Sequence, residues 1–225
     1  MKTFLSNISI QVNPYSYLKD PESSPLGKRI ITGSIDLIEE IGFENFTFQK
    51  LAKTIKSTEA SVYRYFESKH KLLQYLTIWY WSWLEYHFIF KTTNIDSPEE
   101  KLNRAIILLT QPIDEDSSFS HINEAKLQNI IIAESSKVFL TKEVDQENQA
   151  GVYAGYKKLV SRVSDIILEI NPQYKYPRML VSTIIEGAHN QRFFADHLPG
   201  LTDIIKGEDA ITEFYKGLVF RTIQK

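Results

Sequence analysis

The sequence predicts an all-α fold, and three observations carry that prediction. Apolar residues recur at steps of three and four along most of the 225-residue chain, the period of an amphipathic helix. Ser and Thr stand as N-caps before these runs, twice with proline at the next position, which is helix-start chemistry. Glycine and proline are scarce, 9 and 8 residues, while Tyr 12, Phe 13 and Trp 3 bring the aromatics to 12%. Few turns and much apolar bulk favour long helices. With 43% hydrophobic and 24% charged residues the chain excludes disorder over most of its length. The absence of cysteine excludes disulfides, thiolate metal sites and cysteine nucleophiles, and fits a cytoplasmic protein. A net charge of −2 offers no bulk attraction to nucleic acid, so any such partner must be met by a local patch.

The elements follow in order. Residues 1–24 form an extended arm: Ile8, Ile10 and Val12 alternate as in a short strand, then Pro14, Pro21 and Ser23-Ser24 break any helix. The opening MKTFLSNISIQV is interrupted by polar residues and reads as no signal peptide. Ser24-Pro25 opens a first helix, about 25–41, with Ile31, Ile35 and Ile38 on one face and Gly42 at its end. Thr47 caps a short second helix carrying Phe48, Leu51, Ala52 and Ile55; Ser57-Thr58 closes it and caps a third, about 59–65. Ser68 caps a long fourth helix reaching about Phe90. Its segment from Leu72 to Phe90 is long enough to span a bilayer, but Gln74, Glu85 and His87 would be costly there and its aromatics form no terminal belts. A buried helix in water is the better reading.

Downstream, Ser97-Pro98-Glu99-Glu100 combines a cap, a first-turn proline and a capping-box glutamate, opening a helix that Pro112 stops. An acidic loop, Asp114-Glu115-Asp116, precedes helices expected at about 119–136 and 143–170, then 177–195 and 208–222. No repeat or glycine-rich phosphate loop is present. Three domains are therefore expected: the arm 1–24, a helical unit 25–90 including the fourth helix, and a helical domain 91–225.

Two short helices joined by a tight turn form the helix-turn-helix unit. Over residues 28–71, eight cations meet six acids for a net +2, leaving −4 for the remainder, and four of the acids lie on or just after the first helix. The sign is the one DNA requires. The stretch from Gly27 to Leu73 also resembles the DNA-binding domain of the tetracycline-repressor (TetR) family of bacterial transcriptional regulators. The matching features are Gly42-Phe43, Thr47, Leu51-Ala52, the run Ser61-Val62-Tyr63-Arg64-Tyr65-Phe66, and Ser68-Lys69 before Leu72-Leu73. The resemblance implies that Thr47, Tyr63 and Lys69 contact phosphates. Base reading then falls to Thr58, Glu59, Ala60 and Ser61, helped by Gln49, Lys56 and Arg64. Phe48, Leu51, Val62 and Phe66 are packing residues. The chain departs from the family where Ile55-Lys56-Ser57 replaces Ala-Gly-Val. The lost glycine implies a left-handed lysine or a reshaped turn. Glu59 stands where a cation is common, and Ala60 where glycine is usual.

The same resemblance implies a C-terminal effector-binding and dimerisation domain, the protein acting as a homodimeric repressor on a palindromic operator. The last two helices would pair between copies through Met179, Leu180, Thr183, Ile184 and Gly187 on one and Phe214, Leu218 and Val219 on the other. An aromatic stripe on the fourth helix, Trp79, Trp83, Tyr86 and His87, together with Tyr156, His189 and Phe193, suits a small apolar or aromatic effector. No cofactor, metal or catalytic residue is assigned. The rival reading is a helical-bundle metalloenzyme, because Glu67-x-x-His70 and Glu186-x-x-His189 have the ligand spacing of di-iron bundles.

Overall fold

The computed structural model describes residues 10–114 and 121–224, and among these every regular element is helical. Eleven α-helices are found among the described residues: α1 (Pro25–Asn45), α2 (Phe48–Thr54), α3 (Glu59–Tyr63), α4 (Lys69–Thr92), α5 (Pro98–Thr110), α6 (Glu124–Glu134), α7 (Ser136–Phe139), α8 (Val144–Gln149), α9 (Ala154–Ile170), α10 (Pro177–His197) and α11 (Ala210–Ile223). The caps lie where the sequence places them. Ser24, Thr47, Thr58 and Ser97 each accept from the backbone N–H three residues on, and Ser68 does the same for Lys71. None of the described helices is long and apolar enough to cross a membrane.

Three expectations are corrected. Of the alternation at Ile8, Ile10 and Val12, the described residues 10–12 form no strand and Ile10 is buried in irregular chain, while Ile8 lies outside the described residues. The helix expected at 119–136 begins at Glu124, behind an Asn123 cap, and residues 115–120 lie outside the described set. The helix expected at 143–170 is broken between α8 and α9, because Gly151 takes a left-handed φ of 79°. Its apolar period continues across the break, since Val152 is buried in the turn.

By packing, the chain divides into two compact units. The first holds residues 1–83 and 113–154, the second 84–112 and 155–225, so the boundary falls inside α4 after Trp83. In the first unit α1 packs on α2 and α6, and α2 on α3, around Ile30, Ile31, Ile35, Leu51, Phe66 and Leu72. Gly33 permits the α1 to α2 approach: a Cβ there would meet Ile55 at 2.4 Å. Residues 13–24, two 3-10 turns, are tied to this unit by Leu18 N–H donating to Tyr65 O, by Ser24 Oγ on Tyr65 Oη, and by Pro21 seated on Gly27. In the second unit α5, α10 and α11 pack on one another. Arg192 clamps them, donating to Thr110 O and both carboxylate oxygens of Asp209.

Candidate DNA-binding and effector sites

The helix-turn-helix is set by its turn. Lys56 N–H donates to Lys53 O and Ser57 N–H to Ala52 O, the paired bonds of a Schellman cap closing α2. That geometry requires a left-handed residue at Lys56, which has φ 53°. Of the two alternatives the lost glycine left open, the chain takes the left-handed lysine. A ladder of rings holds the unit from inside: Phe43 stacks near Phe46, Phe46 meets Phe48 edge-on, and Phe48 meets Tyr63 edge-on at 4.9 Å. Phe48, Leu51, Val62 and Phe66 are buried, as packing residues should be.

The outer face carries the expected DNA-contacting residues. Thr47, Gln49, Lys56, Thr58, Glu59, Ala60, Tyr63 and Arg64 are exposed, and Ser61 is half-buried. Thr47 Oγ1 accepts from Lys50 N–H, so its own proton remains available to a phosphate oxygen. Tyr63 lays its ring on Phe48 and keeps 48% of its surface open. Thr58 Oγ1 accepts from Ser61 N–H and shares a hydrogen bond with Ser61 Oγ. Lys69 is engaged differently from its neighbours. Its Nζ donates to the carbonyls of Phe43, Glu44 and Phe46 and lies over the Phe43 ring, so the ammonium caps the end of α1. Lys53, which sequence reasoning counted only in the charge balance, is exposed on α2 one turn after Gln49. That i, i+4 spacing was the signal for it.

Three of the four acids of α1, all but the exposed Glu40, are answered from within the same unit. Lys126 pairs with Asp36, Asn129 donates to Glu39, and Lys137 pairs with Glu44. The Lys137 hydrogen bond and charge hold the Glu44 carboxyl below the usual carboxylate range. Elsewhere in the same unit the Glu147 carboxylate accepts from Lys71 Nζ at 3.0 Å and from Tyr153 Oη at 2.6 Å.

The residues expected to line an effector pocket fall in both units. In the first, Trp79 and Trp83 are buried and stacked, with ring centroids 6.3 Å apart. In the second, Tyr86 and His87 are half-buried and meet edge-on, and Phe193 packs on His197. Tyr156 Oη donates to Glu186 Oε1 at 3.1 Å. Burial pushes the His189 imidazole down to about 4, so it is neutral at physiological pH. The metalloenzyme reading gains no support. Glu67-x-x-His70 and Glu186-x-x-His189 belong to different units, and no group of three potential ligands is gathered among the described residues.

For the last two helices the sequence expectation divides. Met179, Thr183, Phe214 and Leu218 are exposed, whereas Leu180, Ile184 and Val219 are buried in their own chain. Gly187 also serves its own chain, since a Cβ there would meet Tyr215 Oη at 2.2 Å. A groove of about 340 Å³ follows the exposed face of α11 past Phe214, Gly217 and Leu218.

Comparison with known proteins gives one family match: residues 30–76 fit the model of bacterial regulatory proteins of the tetR family. No curated protein matches the chain by sequence. Solved structures share its fold. The superantigen PfiT is 16% identical with a TM-score of 0.58, covering 90% of this chain and 97% of that one. AibR, solved with isovaleryl coenzyme A and operator DNA, is 18% identical with a TM-score of 0.56, covering 86% and 97%. The fatty acid degradation regulator FadR from Bacillus halodurans is 16% identical with a TM-score of 0.59, covering 87% and 96%.

Proposed function

We infer, from the match of residues 30–76 to the model of bacterial regulatory proteins of the tetR family, that the chain is a transcriptional regulator that binds operator DNA as a homodimer and responds to a small effector. The observation that carries this reading is the α2–turn–α3 unit, built on buried aromatics and presenting an outer face of short polar side chains. Gln49 and Glu59 make no side-chain bond among the described residues and are free to meet base edges. Thr47 and Tyr63 offer hydroxyls to phosphates, and Lys69 adds charge while holding the end of α1 in place. Glu59 suits a cytosine amino group, which it would accept from in the major groove.

The exposed faces of α10 and α11 pair two copies, so that the two heads address successive major grooves about 34 Å apart. The effector is apolar or aromatic, received within the second unit by Tyr86, His87, Tyr156, His189 and Phe193. AibR and FadR, whose names attach them to isovaleryl coenzyme A and to fatty acid degradation, make an acyl compound the first class to try. The effector acts by biasing the tilt of α4, which continues directly from the reading head, and so the spacing of the two heads. Selection of genomic fragments by purified protein at moderate salt tests the reading. Enrichment of a palindromic site supports it, and recovery no better than random duplex overturns it.

A further inference from the structure

The segment joining α10 to α11 exposes an unusual amount of apolar surface. Leu198, Leu201, Ile204 and Ile205 are 48, 60, 64 and 50% exposed within eight consecutive positions. Soluble monomers rarely expose contiguous apolar patches beyond about a few hundred Å². This patch does not stand alone. A groove of about 220 Å³ beside it is lined by Leu201, Thr202, Ile211 and Phe214, and Phe214 also lines the groove along α11. Segment and helix face are therefore one continuous surface.

Area says what covers it. The helix face offers Tyr176, Met179, Phe214 and Leu218 as its large exposed apolar side chains. At on the order of 100 Å² of apolar area each, they supply about 400 Å². An obligate homodimer takes at least about 1,000 Å² from each partner, about 65% of it apolar, so the helices alone fall short by about a third. The four side chains of the segment more than make up that difference. A two-fold interface must also be its own complement, and a surface that presents both a groove and a projecting apolar segment meets that demand.

We propose that Leu198–Ile205 is a dimer clasp, its side chains lying against α11 of a second copy of this chain. The proposal rests on the reading that α10 and α11 pair two copies. The cysteine-free chain permits a direct test. Full-length protein carrying Ile204→Cys is labelled with a benzophenone maleimide and irradiated. The expected product has twice the chain mass, with the cross-link mapped to α11 of the other copy; a cross-link only within one chain, or to another molecule, overturns the clasp. In sedimentation equilibrium the double variant Ile204→Ser, Ile205→Ser is expected to raise the dimer dissociation constant at least ten-fold with an unchanged circular dichroism spectrum. An unchanged constant sinks the clasp alone, provided Phe214→Ser with Leu218→Ser still dissociates the dimer. A wild-type chain that stays monomeric overturns the pairing reading, and the clasp with it.

Discussion

At the residue scale, single conformations and single protonation states govern what the chain can be asked to do. Lys56 sits at the left-handed position of the α2 cap, where a side chain costs about 1 kcal/mol relative to glycine. Lys56→Gly is therefore expected to raise the unfolding free energy by up to about 1 kcal/mol, read as a higher urea midpoint at unchanged slope. A lower midpoint would mean that the lysine earns its place through contacts the turn geometry does not require. His189 makes an opposite kind of prediction. Its folded value, about 4, lies below that of the unfolded chain, near 6.5, so between them the unfolded state holds more protons. The stability it contributes is present above about pH 6.5 and falls by about 1.4 kcal/mol per unit as pH drops toward 4. Unfolding curves at about pH 7 and about pH 5 should differ by on the order of 2 kcal/mol more in the wild type than in His189→Gln. Equal pH dependence in the two proteins would remove His189 as the cause. Both residues are legible in sequence only in part: the lost glycine announced a strained turn, but nothing local to His189 announced its burial.

At the element scale, helix starts were legible and long-range partnerships were not. Caps are written within four residues, so Ser24, Thr47, Thr58, Ser68 and Ser97 identified five helix openings correctly. The break between α8 and α9 escaped because Val152 keeps the apolar period through the turn, while only Gly151 marks it. The partnership of α1 with α6 and α7 joins residues about ninety positions apart, beyond any local signal. Lys69 shows what such distance hides. The sequence places a cation where a phosphate contact is expected, and the fold spends that ammonium on three carbonyls of the α1 end. Its removal leaves those carbonyls without their charged donor, so Lys69→Ala is expected to lower the unfolding free energy by about 1–2 kcal/mol. If the charge also serves DNA, the salt dependence of operator affinity becomes shallower by about one or two per dimer. Lost stability with an unchanged salt slope would assign Lys69 to the cap alone.

At the scale of the whole molecule, the question is how a chain of net charge −2 would hold the operator DNA proposed for it. Local placement answers part of it, because Asp36, Glu39 and Glu44 of α1 are met by Lys126, Asn129 and Lys137. The rest must come from pairing. One head carrying a surplus of +2 over residues 28–71 releases few counterions, so its own affinity is weak and its salt dependence shallow. Two heads joined in a dimer make the second contact intramolecular, and avidity of about 10²- to 10⁴-fold follows without any new protein–DNA contact. Operator affinity should therefore track dimerisation through residues that never approach DNA. Phe214→Glu with Leu218→Glu places carboxylates on the exposed face of α11, where both side chains are now open to solvent, so folding of the chain itself is spared. Sedimentation should report monomer, circular dichroism an unchanged helix content, and fluorescence anisotropy an operator affinity at least about 100-fold weaker. A half-site duplex is the control, since a single head binds it: its affinity should be the same for variant and wild type. A variant that loses the half-site equally would locate the defect in the head, and one that keeps full operator affinity as a monomer would remove pairing from the mechanism.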